Sequence, residues 1–241
     1  MNVLSYLFDP ANWSGTQGIP VRLVEHLGYT ALTLLIALVI AIPLGAWIGH
    51  TRRGGFLVVG LANGLRALPT LGLLVLIVGA TGLGLLGPIT ALVLLAVPPI
   101  LAGTCAGVRN VDPAVVDAAR GMGMREREVL LGVELPNALP LMIGGVRSSV
   151  LQVVSTATIA AYVALGGLGR FIIDGLAIRD FPQMVAGSLL VALLAIVADL
   201  LLAGLQKLLV SPGLRAAPGP RRLRAVNPRT ANTPDAAARA A

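Results

Sequence analysis

Long apolar runs separated by short polar segments dominate the pattern of the 241-residue chain. A helix needs about 20 mainly apolar residues to cross about 30 Å of hydrocarbon, and several runs reach that length. They lie at residues 27–50, 56–78, 83–108, 141–163 and 184–210. Backbone polar groups find no water inside lipid, so such runs must be helical. The pattern predicts an all-α polytopic membrane protein with about five transmembrane helices.

Prolines interrupt two of the predicted spans. Pro69 lies within the second span, and Pro98 and Pro99 stand side by side in the middle of the third. Because proline removes a backbone donor and clashes with the preceding turn, we expect a break at both places. If Pro69 divides the second span into two short helices, a six-span count is the alternative.

Composition supports the membrane assignment and argues against nucleic acid as a partner. Hydrophobic residues make up 56% of the chain and charged residues 12%. Most of the net charge of +7 comes from residues 211–241, which hold six arginines against one aspartate. A tail rich in Pro, Ala and Arg is typical of a disordered juxtamembrane segment that contacts anionic membrane lipid. A nucleic-acid module would need a folded basic face.

The positions of the arginines set the expected orientation. Arg52 and Arg53 follow the first span, and further arginines lie around residues 112–140. Because Lys and Arg collect in cytoplasmic loops, we expect a multi-pass cell-membrane protein with its N-terminus outside and its C-terminus in the cytoplasm. The domains are then an external segment (1–26), a transmembrane domain (27–210) and a cytoplasmic tail (211–241).

Residues 112–140 form the longest charged stretch between the apolar runs. Asp112 can cap a helix, and Pro113 suits the first helical position, where a missing N–H costs nothing. Gly123 permits a sharp turn, and a second helical stretch should follow and end at Pro136. The segment is predicted to be helix, turn, helix, between two spans.

The same segment resembles the EAA signature of ABC importer permeases, through Asp117-Ala118-Ala119, Gly123 and Val133-Glu134-Leu135-Pro136 at the family's spacing. Asp117 stands where the family usually has Glu, and Val133 where it often has Ile. The resemblance implies a type I ABC importer permease fold whose cytoplasmic coupling helix seats in a groove of an ATPase. The ATPase-coupling residues that it implies are Asp117, Ala118, Ala119, Gly121, Gly123, Val133, Leu135 and Pro136. The alternative is a solvated hairpin without a partner.

A polar stripe and a proline-broken stretch mark the predicted translocation path. Arg66 falls near mid-membrane if its helix begins at Phe56, and the stretch from Asn63 to Thr70 resembles a region that borders the passage in related permeases. The path residues are Asn63, Arg66, Pro69, Thr70, Ser148, Gln152, Ser155 and Thr156. The alternatives are an arginine that extends to the inner interface and hydroxyl groups that only allow close helix packing. Arg147 can pair with the coupling segment or with Asp199.

A glycine-rich loop follows the fourth predicted span. Gly166, Gly167 and Gly169 resemble the external loop of methionine and osmoprotectant permeases on which a solute-binding protein docks. The alternative is an ordinary flexible turn. His26 and His50, at the two ends of the first span, are interpreted as interfacial residues.

The chain lacks the residues for ATP chemistry. It contains no G-x-x-x-x-G-K-[ST] phosphate loop, and Lys207 is its only lysine. We therefore expect a non-catalytic subunit without cofactor or metal, with ATP hydrolysis carried out by a partner. The resemblance implies an ABC ATPase dimer, a second permease subunit (this chain or a paralogue) and an extracytoplasmic solute-binding protein as partners.

The resemblance is strongest to permeases for osmoprotectants of the glycine betaine, carnitine, choline and proline betaine type. A permease for methionine or another small solute is one alternative. An ion-coupled secondary transporter is the alternative of another class, and it should show paired acidic residues inside the membrane. Only Asp199 is a clear intramembrane acid in the sequence.

Overall fold

The computed structural model describes residues 2–163 and 165–210, without the side chains at positions 57, 59, 61, 63 and 66. The predicted tail, residues 211–241, lies outside the described residues. The α-helices are α1 (Val3–Phe8), α2 (Ile19–Thr51), α3 (Gly55–Ala67), α4 (Thr70–Thr81), α5 (Leu86–Arg109), α6 (Pro113–Gly121), α7 (Glu126–Val129), α8 (Leu135–Ala160), α9 (Gly169–Ile178) and α10 (Phe181–Leu209). Short 3₁₀ helices lie at Pro10–Trp13 and Ala161–Val163, and a π-helical turn at Leu130–Glu134.

Four helices of the described part are long and apolar enough to cross a membrane. They are α2, α5, the continuous helix Glu126–Val163, and α10. Helix α4 is a shorter apolar helix. The prediction of an all-α polytopic membrane protein is confirmed.

The first span, α2, begins at Ile19, ahead of its predicted start at Leu27. Its buried face repeats a small residue at every fourth position: Ala37, Ala41, Gly45 and Gly49. Small side chains let helix backbones approach closely in lipid, where no hydrophobic force drives helices together. A Cβ added to Gly45 would lie 2.8 Å from the Cβ of Thr104, so α2 and α5 pack nearly backbone to backbone.

The second predicted span consists of two helices, α3 and α4, separated at Pro69. With 13 and 12 residues, each is only about 20 Å long, too short to cross alone. Helices α2 and α5 run parallel, because Gly45 packs against Thr104 and Gly49 against Val108. Helices α3 and α4 together therefore make one return crossing, which favours five crossings over six.

Helix α5 forms the centre of the bundle. One core cluster joins α2, α3, α5 and α8 and includes Ala37, Ile100 and Val153. The predicted break at Pro98 and Pro99 is wrong, since α5 is continuous from Leu86 to Arg109. Both prolines are buried. In a membrane span, neighbouring helices can satisfy the backbone groups that a proline leaves without a hydrogen bond, so the helix can continue through it.

The second helical stretch of the coupling segment was expected to end at Pro136, but it continues into the fourth span, so that prediction is also wrong. Helix α7, the π turn Leu130–Glu134 and α8 follow one another without a gap. The wider π turn ends at Glu134, two residues before Pro136, and it covers the carbonyl four residues back that the proline ring would otherwise meet in an α-turn. The polar segment is thereby joined rigidly to the membrane span.

Helix α9 was not predicted. It follows the glycine loop and ends at Ile178, and the next residue, Arg179, has a φ of 60° where the chain reverses into α10. Helix α10 packs antiparallel on α9, with Gly187 against Phe171, and on α8. Only Ala186 and Gly187 of α10 are buried, so this helix lies at the edge of the described bundle.

Candidate functional site

Helix α6 is a short, well-capped helix at one end of the bundle. Asp112 Oδ1 accepts a hydrogen bond of 2.9 Å from the backbone N–H of Ala114, as the capping residue was expected to do. The helix closes where the N–H of Met122 bonds the carbonyl of Ala118, and Gly123 follows with a φ of 86°. The left-handed backbone explains the glycine at position 123, since a side chain there would be strained. The predicted helix and turn are confirmed.

A small apolar cluster fixes α6 against the start of the fourth span. Val111, Val116, Ala119 and Val129 are buried together. Ala119 is only 2% exposed, whereas Asp117 and Ala118 are exposed. The two alanines of the signature therefore have different surroundings: Ala119 packs within the chain, and Ala118 is available to a partner.

Arg120 joins α6 to α7 across the turn. Its Nε and Nη2 each donate a 3.0 Å hydrogen bond to the carboxylate of Glu126, and its Nη1 lies 3.7 Å from Asp117 Oδ1. These hydrogen bonds raise the pKa of the Arg120 guanidinium above its ordinary value. The bidentate geometry holds the planar guanidinium in one orientation and so orients α6 relative to α7.

His50, at the end of α2, reaches the same segment. Its Nδ1 lies 2.5 Å from Oε2 of Glu134, and its Nε2 lies 3.2 Å from Oε2 of Glu126. The interpretation of His50 as an interfacial residue does not include this contact, which the sequence gives no sign of. No spacing rule connects a histidine to a glutamate 84 positions away, so only the packing of α2 beside the π turn reveals the pair.

The remaining residues of the signature lie on or beside the surface of the segment. Gly121 and Pro136 are exposed, and Val133 and Leu135 are half-buried. A groove of about 630 Å³ lies beside the turn, lined by Met124, Arg125, Arg127, Glu128, Leu131 and Gly132. The segment thus presents a capped helix, an exposed turn and a groove lined by two arginines and one glutamate on the same end of the molecule.

The polar stripe on α8 divides into two faces. Ser149 is buried and donates a 2.9 Å hydrogen bond to the carbonyl of Ala96 on α5, and Thr156 bonds the carbonyl of Gln152 within its own helix. Ser148 and Ser155 are exposed, and Gln152 between them is half-buried. The structure therefore groups Ser148, Gln152 and Ser155 on one uncovered face and assigns Ser149 to helix packing.

The proline-broken stretch can be placed only in part. Pro69 is exposed at the break, and Thr70 is half-buried as the first residue of α4. The side chains of Asn63 and Arg66 lie outside the described residues.

The glycine loop after α8 is packed against the beginning of α2. The N–H of Gly167 donates a 2.8 Å hydrogen bond to Glu25, and a Cβ on Gly167 would lie 3.0 Å from His26. His26 is fully buried, with Nε2 3.1 Å from the carbonyl of Val154, so the interpretation of His26 as interfacial is wrong. Gly169 is buried between Thr158 and Ala161. The glycines therefore allow close packing rather than flexibility.

The described residues contain no group of three His, Cys, Asp or Glu side chains that could hold a metal ion. A multi-pass helical bundle with a polar helix at one end and an uncovered polar face on one span is the architecture expected of the membrane subunit of a transport system.

The comparisons with known proteins identify the family. Residues 41–211 match the family described as "Binding-protein-dependent transport system inner membrane component". The carnitine transport permease protein OpuCB of Listeria monocytogenes is 32% identical over 197 residues, which cover 82% of this chain and 90% of the relative. The osmoprotectant import permease protein OsmW of Salmonella typhimurium is 33% identical over 220 residues, which cover 89% and 100% of the two chains.

A solved structure shows the same fold. The structure titled "Inward facing conformations of the MetNI methionine ABC transporter" superimposes with a TM-score of 0.73 and 23% identity, over 84% of this chain and 99% of that chain. This chain belongs to the binding-protein-dependent transport system inner membrane component family and is the permease subunit of an ABC importer. It is a non-catalytic membrane component.

Proposed function

We propose that this permease carries quaternary-ammonium osmoprotectants of the glycine betaine, carnitine, choline and proline betaine type into the cell. The relatives named for carnitine and for osmoprotectants support this substrate class, because each aligns over more than four-fifths of this chain. The chain itself is only 4% aromatic, whereas quaternary ammonium groups are typically held by aromatic cages. Selectivity therefore resides mainly on an extracytoplasmic solute-binding protein.

The observation that best supports coupling to an ATPase is the exposed, rigidly held face of α6. Asp117 and Ala118 project from a capped helix that Arg120 and the cluster around Ala119 hold in place. A small exposed residue on a rigid helix can seat closely in a partner's groove. This face docks on a cytoplasmic ABC ATPase dimer, with Gly121 and Gly123 shaping the turn and Val133, Leu135 and Pro136 joining it to the span.

The uncovered face of α8 lines the translocation path beside a second permease subunit. Gln152 lies between Ser148 and Ser155 on a membrane span, and its side-chain amide makes no hydrogen bond with the described residues. An unpaired amide facing lipid is costly, so water or a second permease chain must meet it. Thr156, Pro69 and Thr70 lie near the same passage, with Asn63 and Arg66 on α3.

The orientation follows from the arginines. The end of the bundle with Arg52, Arg53 and α6 lies in the cytoplasm, because Lys and Arg collect there. The N-terminus and the loop with Gly166, Gly167 and Gly169 then lie outside, where the solute-binding protein docks. Packing of this loop on Glu25 gives the docking surface a fixed shape.

The test is reconstitution in proteoliposomes with the cognate ATPase subunit and solute-binding protein. We expect ATP-dependent uptake of labelled glycine betaine that unlabelled carnitine or choline reduces, and no ATP hydrolysis by the permease alone. Uptake that only methionine inhibits would transfer the assignment to the second candidate, for which the similarity to the methionine transporter's fold is the motivation. Uptake driven by an ion gradient without ATP would refute the ABC mechanism.

A further inference from the structure

The end of α2 is held to the coupling segment through His50. The two ring nitrogens of His50 face two different carboxylates, Glu134 at Nδ1 and Glu126 at Nε2. The His50 side chain is 14% exposed, and that of Glu134 is 6% exposed. The contact with Glu134 is therefore shielded from water and from salt, so it is stronger than a surface ion pair.

The number of protons in this arrangement follows from its geometry. A neutral imidazole has one N–H donor and one lone pair, and a lone pair directed at a carboxylate oxygen would be repelled. Nδ1 makes a hydrogen bond with Glu134 and Nε2 lies in ion-pair contact with Glu126, so a ring with an N–H at both nitrogens suits the two contacts together. In that form, His50 balances one of the two negative charges of Glu126 and Glu134.

Other charged groups complete the surroundings. Arg120 on α6 balances Glu126, and Asp117 lies beside Arg120. Arg109, at the end of α5, packs against Gly55 directly after the turn that follows α2. On α2 and its turn, Arg52 and Arg53 are exposed. The coupling segment and the end of α2 thus share one charge network through His50 and Glu126.

This contact matters because of how the segment is connected. Helix α8 is continuous with α7 through the π turn, and α7 joins α6 through the turn at residues 122–125 and the Arg120–Glu126 pair. A movement of α6 therefore has a short backbone route to α8. Helix α2 has no such connection, and its route to the segment runs through side chains. At its other end, α2 holds the glycine loop through Glu25 and contacts Val154 of α8 through His26.

We propose that His50, held as an imidazolium between Glu134 and Glu126, is the positioning residue that makes α2 move together with the coupling segment. This inference rests on the proposed function of α6 as the ATPase-docking element. Displacement of α6 by the ATPase then moves α2 as well as α8. Because α2 is a single rod of 33 residues, the same displacement reaches the loop around Gly167 at the far end.

The experiment measures solute transported per ATP hydrolysed in the reconstituted complex. His50→Gln removes the charge and one donor, and it should lower this ratio about tenfold, the effect expected for one charge-assisted hydrogen bond. His50→Lys keeps a cation with several donors and should restore most of the ratio. Glu134→Gln should reproduce the His50→Gln effect, and the double variant should be no worse than either single one, because both remove the same contact.

Arg53→Gln is the matched control. It removes a neighbouring positive charge that makes no ion pair with the described residues, and it should leave the ratio unchanged. Glu134→Gln keeps the side-chain shape and provides the test if His50→Gln does not accumulate.

The outcomes separate the two proposals. If the wild-type complex gives no ATP-driven uptake, the proposed function fails and His50 plays no part in that failure. If the wild type transports and His50→Gln assembles with an unchanged ratio, the role of His50 is refuted. Equal loss in His50→Gln and His50→Lys would also refute it, since only the first removes the cation.

Discussion

Arg147 on α8 and Asp199 on α10 form a bidentate salt bridge within the membrane-spanning part of the bundle. Arg147 Nη2 lies 2.7 Å and 2.9 Å from the two carboxylate oxygens, and Nε lies 3.0 Å from Oδ1. Arg147 Nη1 also reaches Gln206 at 3.4 Å. Of the two partners that the sequence left open for Arg147, Asp199 is the one that the structure shows. The pair neutralises the intramembrane acid and attaches an edge helix to the bundle.

We expect Asp199→Asn to destabilise the protein. The change leaves the Arg147 guanidinium without its counter-charge in a low-dielectric region, at a cost of about 1.5–3 kcal/mol for a charged hydrogen-bonding group. The thermal unfolding midpoint in detergent should fall. The double variant Arg147→Met/Asp199→Leu should recover much of the loss, because it leaves no unpaired charge. Equal midpoints for wild type and Asp199→Asn would show that the pair contributes nothing.

The contact between α5 and α8 should be destabilised by even one added methyl group. A Cβ on Gly145 would lie 2.6 Å from the carbonyl oxygen of Pro99 and 3.1 Å from the Cα of Gly103, so Gly145→Ala forces the helices apart. We expect destabilisation of about 1–3 kcal/mol, as for an overpacked core. Gly144→Ala is the control, because an added Cβ there meets nothing within 4 Å and improves helix propensity. Identical unfolding midpoints for the two variants would contradict this packing.

The two alanines of the coupling signature should respond differently to a bulky residue. Ala118→Trp changes an exposed side chain, so the chain should reach the membrane at the wild-type level and fail to copurify with the ATPase. Ala119→Trp places a large ring in the closed cluster around Val116 and Val129, so it should also lower the stability of the permease itself. An Ala118→Trp permease that copurifies at the wild-type ratio would exclude this face from the docking surface.

Thiol labelling tests the orientation and the number of crossings. In a Cys105→Ala background, we expect an impermeant reagent to label Ile178→Cys and Leu83→Cys on intact cells, and to label Arg125→Cys only after permeabilisation. Ile178 and Leu83 are 70% and 84% exposed, so burial does not protect them. Labelling of Arg125→Cys on intact cells would invert the orientation. Protection of Leu83→Cys alone would mean that α3 and α4 do not form a single crossing.

Much of the fold was predictable because lipid leaves few alternatives. Long apolar runs must be helical, and their lengths relate directly to bilayer thickness. The helix cap at Asp112 and the turn at Gly123 were also predictable from the sequence, since both depend on neighbouring residues alone. Two of the errors arose at prolines: α5 continues through Pro98 and Pro99, and the fourth span continues through Pro136. In each case helix packing or a π turn outweighed the tendency of proline to end a helix.

By itself, the sequence determined the class of protein, the positions of the crossings and the segment that carries the family signature, because these follow from hydrophobic length, local backbone preference and motif spacing. Only the tertiary structure decided which side chains of that segment a partner can reach, with Ala119 inside and Ala118 outside. It also decided the partners of His50 and Arg147. Such contacts join helices distant in sequence, and their formation depends on how the small-residue faces bring those helices together.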